Sequence, residues 1–208
     1  MLRDRWFVPV HRGPCGGLHD DRSGVRRADG EGAPGHDPLH LHNWWLSQID
    51  VLTGLRNLRA LRARVDDVVR VANAGGPRPT LLAIDLDEFK MVNDSFSHTV
   101  GDQVLVQVAR AIADIVRGED MVARRGGDEF VVVTDVEDRD ELEKIAERIR
   151  ESVARVRRRV CPQLLPTACV AVVHWHPSDD ADGFMHRADV ALHEKKLALR
   201  RSQTADAG

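Results

Sequence analysis

The chain has 208 residues, 30 Lys and Arg against 33 Asp and Glu, a formal net charge of −3 and a hydrophobic fraction of 42%. These values suit one soluble domain with appendages, or two very small ones, and the near-neutral charge argues against a dedicated nucleic-acid binder. No run approaches the ~18 consecutive apolar residues of a membrane helix, and the apolar stub near Met1 is too short for a secretory leader.

Residues 1–40 are dominated by Gly, Asp, Arg, His and Pro without lasting periodicity, which predicts a disordered or linker-like segment. His36, His40 and His42 lack acidic or Cys partners at ligand spacing and read as part of a solvated tail. Leu41, Trp44, Trp45, Ile49 and Leu52 predict an amphipathic lead-in helix over 41–52, followed by the main domain over 53–201. Within that domain, Leu58, Leu61, Val65, Val68, Val69 and Ala72 predict a helix that Gly75-Gly76-Pro77 ends. Thr80–Ile84 is a buried strand leading into Asp85-Leu86-Asp87, and a short helical turn follows over Glu88–Asn93. Val104, Leu105, Val108, Ala111, Ile112 and Ile115 mark a long helix.

Next come two apolar runs, Met121-Val122-Ala123 and Phe130–Val133, separated by Arg124-Arg125-Gly126-Gly127-Asp128-Glu129. Gly-Gly supplies the positive φ angles of a tight primed turn, so this is a β-hairpin. Two adjacent carboxylates at its tip, beside bare backbone, point to a phosphate or metal approaching the main chain. A helix over Asp138–Arg158 follows, whose basic last turn complements the helix dipole. A strand over Thr167–Val173, a last helix over Phe184–Arg200 and a disordered tail over 202–208 complete the chain. Cys15, Cys161 and Cys169 show no paired metal spacing, which points to a reduced, cytoplasmic setting. The order of elements predicts an α+β fold of the split βαβ type, with a central mixed, mainly antiparallel sheet flanked by helices.

Two further stretches carry chemistry. Asp85-Leu86-Asp87-Glu88-Phe89-Lys90-Met91-Val92-Asn93-Asp94 starts where a strand ends and a helix begins. A triphosphate with Mg²⁺ needs such a set: carboxylates for the metal, backbone donors and a Lys for the phosphates. On the last helix Lys196 and Arg200 lie at i and i+4 and project from one face, a spacing that alone reads as surface decoration.

The unaltered run Gly126-Gly127-Asp128-Glu129-Phe130 resembles the GGDEF signature of diguanylate cyclases. The Asp85 stretch matches that family's Asp-x-Asp-x-Phe-Lys-x-x-Asn-Asp block, and Asp50-Val51-Leu52-Thr53-Gly54-Leu55-Arg56-Asn57 resembles its domain-opening sequence. The resemblance covers about residues 48–200 and implies a nucleotide-cyclase-like fold. It implies two Mg²⁺ or Mn²⁺ ions per active site, held by Asp85, the Leu86 carbonyl, Asp128 and Glu129. Asp128 would also accept the proton of the attacking 3′-hydroxyl, and Lys90 would stabilise the reacting phosphate. Gly126 and Gly127 would lie against substrate, and Lys196 and Arg200 on the terminal phosphates. Asn93, His98 and Asp102 would bind the guanine end. A carboxylate accepts from both guanine N1–H and its exocyclic amine, whereas adenine N1 presents a lone pair.

Arg117-Gly118-Glu119-Asp120 resembles the Arg-x-x-Asp product-inhibition site, though the four residues also suit a surface ion pair. The implied activity is condensation of two GTP into cyclic di-GMP by a homodimer, with no nucleic-acid or membrane partner. A rival from another class is a catalytically silent module that binds GTP, or cyclic di-GMP through Arg117 and Asp120; the retained Asp128 and Glu129 speak against it. The chain departs from the family pattern at Leu58 (usually Arg), Ser97 (Gly), Cys169 (Ser), Ala171 (Gly), His193 (Tyr) and Leu199 (Gly). A positive φ at Ser97 would cost about 1 kcal/mol and reshape the guanine loop.

Overall fold

Apolar periodicity of 3.6 over Leu58–Asn73 makes helix α1, whose N-terminus Asn57 caps by accepting from the Ala60 amide at 3.1 Å. The computed structural model describes residues 46–160 and 168–205. After α1 come β1 (Thr80–Leu86), α2 (Phe89–Ser95), α3 (His98–Ala113), β2 (Met121–Gly126), β3 (Glu129–Thr134), α4 (Arg139–Val160), β4 (Ala168–His174) and α5 (Ala181–Ala205). The predicted order of elements is the observed one.

The four strands form one sheet in the order β2-β3-β1-β4, and every neighbouring pair is antiparallel. The parallel component expected of a mixed sheet is confined, among the described residues, to an isolated bridge between Arg56 and Ala123. Strand β1 is buried along its whole length. Its odd-numbered residues Leu81 and Ala83 join Cys169, Ala171 and Val173 of β4 and Val131 and Val133 of β3 under α1 and α5. Alternation directs Leu82, Ile84 and Leu86 to the other face, where α3 and α4 pack. Phe184 of α5 is completely buried in the first layer. Truncating it to Ala is expected to cost about 3–5 kcal/mol.

Register fixes where the chemistry goes. Asp85, next to last in β1, pairs with Glu129 at the start of β3 and with Cys169 of β4. Directly opposed residues of antiparallel strands share a face with Cβ atoms about 4.5–5.5 Å apart. One end of the sheet therefore gathers the acids of two segments remote in sequence.

Beyond shifts of a few residues at element ends, the lead-in segment and the C-terminal tail differ from expectation. Residues 47–53 are turns and a bridge (Ile49 with Arg56), not the end of a lead-in helix. Asp50 Oδ1 accepts from the Thr53 amide at 2.9 Å and from Thr53 Oγ1 at 2.6 Å, and Gly54 takes φ +73°. That local turn chemistry outweighs a weak apolar pattern. Helix α5 continues to Ala205, into the stretch expected to be a disordered tail. The predicted linker over 1–40, the opening of the lead-in helix at 41–45 and the last three residues lie outside the described residues.

Candidate functional site

The β2–β3 hairpin closes on two residues. Gly126 pairs with Glu129, so the central positions are Gly127 and Asp128, one step later than the Gly126-Gly127 turn expected. A register shift between Arg124 and Gly126 takes up the extra residue. Gly127 has φ +53° while Asp128 keeps a negative φ, the sign pattern of a type II′ turn. Arg124 locks the tip, donating from Nε and Nη2 to the Gly127 carbonyl at 2.9 and 2.8 Å. Its Nη1 reaches both oxygens of Asp50, at 3.1 and 3.2 Å. Burial pushes the Asp50 carboxyl up, but its hydrogen bonds from Thr53 and Arg124 outweigh that and leave it below the usual Asp range. The opening turn is thereby bolted to the hairpin.

Asp85 is buried, and Lys196 Nζ of α5 stands 2.6 Å from its Oδ1. Asp128 is half-buried at the tip, and its main-chain carbonyl accepts from the Leu86 amide at 3.4 Å. Burial first, then the Asp85 carboxylate, push the Asp128 carboxyl above its ordinary value; a backbone hydrogen bond and Lys196 only partly offset them. Glu129 adds a third carboxylate, 3.9 Å from Arg125. Arg125 itself makes a two-pronged pair with Asp189 of α5, with Nη2 2.9 Å from Oδ2 and a second contact from Nη1. Asp189 and Lys196 are seven residues apart, two helical turns, so one face of α5 clamps both hairpin and β1.

These hard oxygen donors fit a divalent cation, because Asp128 and Asp85 repel one another in a partly desolvated site and a cation would relieve that. Among the described residues no three His, Cys, Asp or Glu side chains form a metal cage. Mg²⁺ characteristically takes one or two carboxylates and completes its shell with substrate phosphates and water. The donor set suits that habit.

Beyond β1 the chain turns sharply at Glu88, the one described non-glycine residue with positive φ (+54°). A left-handed Glu costs free energy and marks the β1–α2 corner as a strained junction. Lys90 is exposed on α2, and Asn93 follows three residues later, half-buried. His98 and Asp102 are exposed on the first turns of α3. Ser97 has φ 173°, extended backbone that any residue adopts, and its Oγ caps α3 by accepting from the Val100 amide at 3.3 Å. The strain anticipated for this departure is absent, and a cap takes its place.

Arg117 and Asp120 lie together in the turn before β2. Asp120 is buried and accepts from the Arg117 amide at 2.8 Å, while the Arg117 guanidinium pairs with Glu141 of α4. That hydrogen bond, and the Glu141 charge behind it, raise the Arg117 pKa. Arg200 is exposed on α5, one turn beyond Lys196.

The sequence reading assigned no role to Asp50, Arg124, Arg125, Asp189 or Gly101. Asp189 could have been found from its i,i+7 spacing to Lys196. The Asp50–Arg124 pair joins residues 74 apart, and nothing local reveals it.

The comparisons with known proteins agree with this geometry. The family described as "Diguanylate cyclase, GGDEF domain" matches residues 47–202. Diguanylate cyclase DgcP of Escherichia coli is 32% identical over 152 residues, covering 72% of this chain and 45% of that protein. Response regulator PleD of Caulobacter vibrioides is 42% identical over 113 residues, covering 54% of this chain and 25% of that protein. The chain thus spans less than half the length of these curated relatives. The coiled coil and GGDEF domain of DgcB from Caulobacter crescentus, solved in complex with c-di-GMP, superposes with a TM-score of 0.69 at 26% identity, covering 78% of this chain and 88% of that one. With the signature at the hairpin, the matching sheet and a family match over most of the length, the chain belongs to the GGDEF-domain family.

Proposed function

We propose that this chain is a diguanylate cyclase domain, acting in the cytoplasm as a homodimer to condense two GTP into cyclic di-GMP and two pyrophosphates. The observation that carries the reading is the cross-strand meeting of Asp85 and Glu129, with Asp128 at the turn and Lys196 on the Asp85 carboxylate. In each half-reaction a 3′-oxygen attacks the α-phosphorus of the GTP held by the facing subunit. The new P–O bond replaces the bond to the β-phosphate, and pyrophosphate leaves.

Asp85, the Leu86 carbonyl, Asp128 and Glu129 would hold Mg²⁺ or Mn²⁺, two per site, which when bound supply charge neutralisation on the phosphates. Asp128 receives the 3′-hydroxyl proton, a role its raised pKa favours because a more basic carboxylate is a better acceptor. Lys90 stabilises charge on the reacting phosphate. Lys196 and Arg200 bind the terminal phosphates, Lys196 exchanging its Asp85 contact for the β- and γ-oxygens. The bare backbone of Gly126 and Gly127 allows close approach of the nucleotide. Asn93 and Asp102, with His98 beside them, select guanine. Cyclic di-GMP binds back at Arg117 and Asp120 as an inhibitor, and Arg117 must first leave Glu141.

Incubating the purified chain with GTP and Mg²⁺ and separating the products by chromatography tests this. Cyclic di-GMP from wild type and none from Asp128→Ala is the expected result. Tight binding of added cyclic di-GMP without any turnover would identify a catalytically silent binding module instead.

A further inference from the structure

Gly101 sits in the first turns of α3, where glycine destabilises a helix relative to alanine. Its φ lies outside the left-handed region, so conformational freedom does not account for it. What surrounds it does. Gly101 is buried, and a Cβ built there overlaps the Asn93 carboxamide oxygen outright, with Asn93 Cγ at 3.1 Å and Phe89 Cζ at 3.2 Å. The Asn93 carboxamide therefore rests on the bare α-carbon that precedes Asp102. Neither Asn93 nor Asp102 makes a side-chain hydrogen bond or ion pair among the described residues, so both keep their polar groups for a ligand.

From this we infer that Gly101 is a positioning and specificity-determining residue: its missing side chain seats Asn93 against α3, fusing Asn93 and Asp102 into one reader of the guanine edge. The inference rests on the guanine-reading role proposed above. It adds that the spacing of the reader is set sterically by residue 101. Any side chain there swings Asn93 away from the plane the base must occupy. Phosphate binding through Lys90, α5 and the hairpin is left alone.

The test uses 3′-deoxy nucleotides, which bind but lack the hydroxyl needed to react. Dissociation constants of 3′-deoxy-GTP, 3′-deoxy-ITP (no exocyclic amine) and 3′-deoxy-ATP are measured with Mg²⁺ by calorimetry. Wild type is expected to prefer the guanine compound. Gly101→Ala is expected to weaken it about tenfold, one hydrogen bond's worth, and to leave the adenine compound unchanged. Asn93→Ala should produce the same loss, and the double variant Asn93→Ala/Gly101→Ala no further one, because residue 101 acts through Asn93.

Undiminished guanine preference in Gly101→Ala, or losses that multiply in the double variant, would overturn the inference. If wild type shows no preference, the guanine-reading role itself fails, a separate result. If Gly101→Ala does not fold, circular dichroism of the double variant decides. Refolding there shows that the Asn93 contact is the one that matters, and continued unfolding assigns the clash to Phe89 and overturns the inference.

Discussion

At the hairpin tip three separate ion pairs, Asp50–Arg124, Arg125–Asp189 and Asp85–Lys196, restrain the charged groups. The α2–α3 corner is built the other way: Lys90, Asn93, His98 and Asp102 make no ion pair among the described residues, and Asn93 is seated by its close approach to Gly101. The contrast follows from what the proposed function asks of each region. Carboxylates meant to hold a cation repel one another, so neighbouring cations must restrain them until the ion arrives. A base reader needs polar atoms that are free when the ligand comes, so its geometry has to come from packing. Substitutions at the tip should therefore change charge balance, rate and stability together. Those at Asn93 and Asp102 should change selectivity alone.

The largest effect is expected at Asp128. Replacing it with Asn should lower product formation by at least about a thousandfold, from lost proton acceptance and lost metal coordination. The same change should raise the melting temperature by a few degrees at neutral pH. Its sign follows from the raised pKa: the folded chain holds this proton more tightly than the unfolded one. Stability is therefore lost as pH rises from the ordinary Asp value of 3.8 through the higher folded value. The gain from Asn is full above that window and vanishes below it. Melting curves across the acid range check this, and a variant less stable than wild type at neutral pH would show the site is not electrostatically strained.

Lys196 tests the restraint. Lys196→Met leaves Asp85 buried without its cation and removes one of the charges that hold Asp128 down. Turnover should fall about a hundredfold or more from lost phosphate contact. The acid limb of the pH–rate profile should move to higher pH, because Asp128 then keeps its proton longer. An unmoved limb would assign the profile to another group.

Asp50→Asn probes the bolt between the opening turn and the hairpin. It removes the charge facing a mostly buried Arg124, whose side chain is 13% exposed. Leaving that cation partly uncompensated should cost about 1–3 kcal/mol, read in urea melts. Turnover should drop about tenfold through a loosened Gly127 carbonyl. If stability falls while turnover does not, the pair is a folding clasp only.

What the sequence made legible divides along the same line. Strand β1 and helices α1 and α4 were readable because apolar periodicity is a local property, and the hairpin because Gly126-Gly127 has few other uses. The turn was misplaced by one residue because a bulge upstream, braced by Arg124, consumed Gly126. Residues 47–52 looked helical on an apolar pattern, but the Asp50–Thr53 turn decided them. The acids and Lys196 could be named as types at spacings. That Lys196 lies on Asp85, or Asp189 on Arg125, depends on tertiary packing that no window of sequence contains. Gly101 was hidden for the opposite reason: its contribution is an absence of atoms.

The smallest expected effect lies at the Arg117 turn and separates the two motif classes again. Arg117 and Glu141 are 46% and 45% exposed at their side chains, so solvent screens the pair and it contributes little. Glu141 competes directly with any anionic ligand for the guanidinium. Glu141→Gln removes that competitor and leaves Asp120, which is held by the Arg117 amide, where it is. Inhibition by cyclic di-GMP should then tighten by about two- to fivefold, the scale expected on removing a weak, solvent-screened competitor. The uninhibited rate should not change, because Glu141 belongs to α4 and none of the proposed catalytic contacts uses it. Titrating product against initial rate measures both. Weaker inhibition in this variant would mean that Glu141 orients Arg117 for the ligand, and the turn would then be a preformed receptor instead of one that a surface ion pair holds shut.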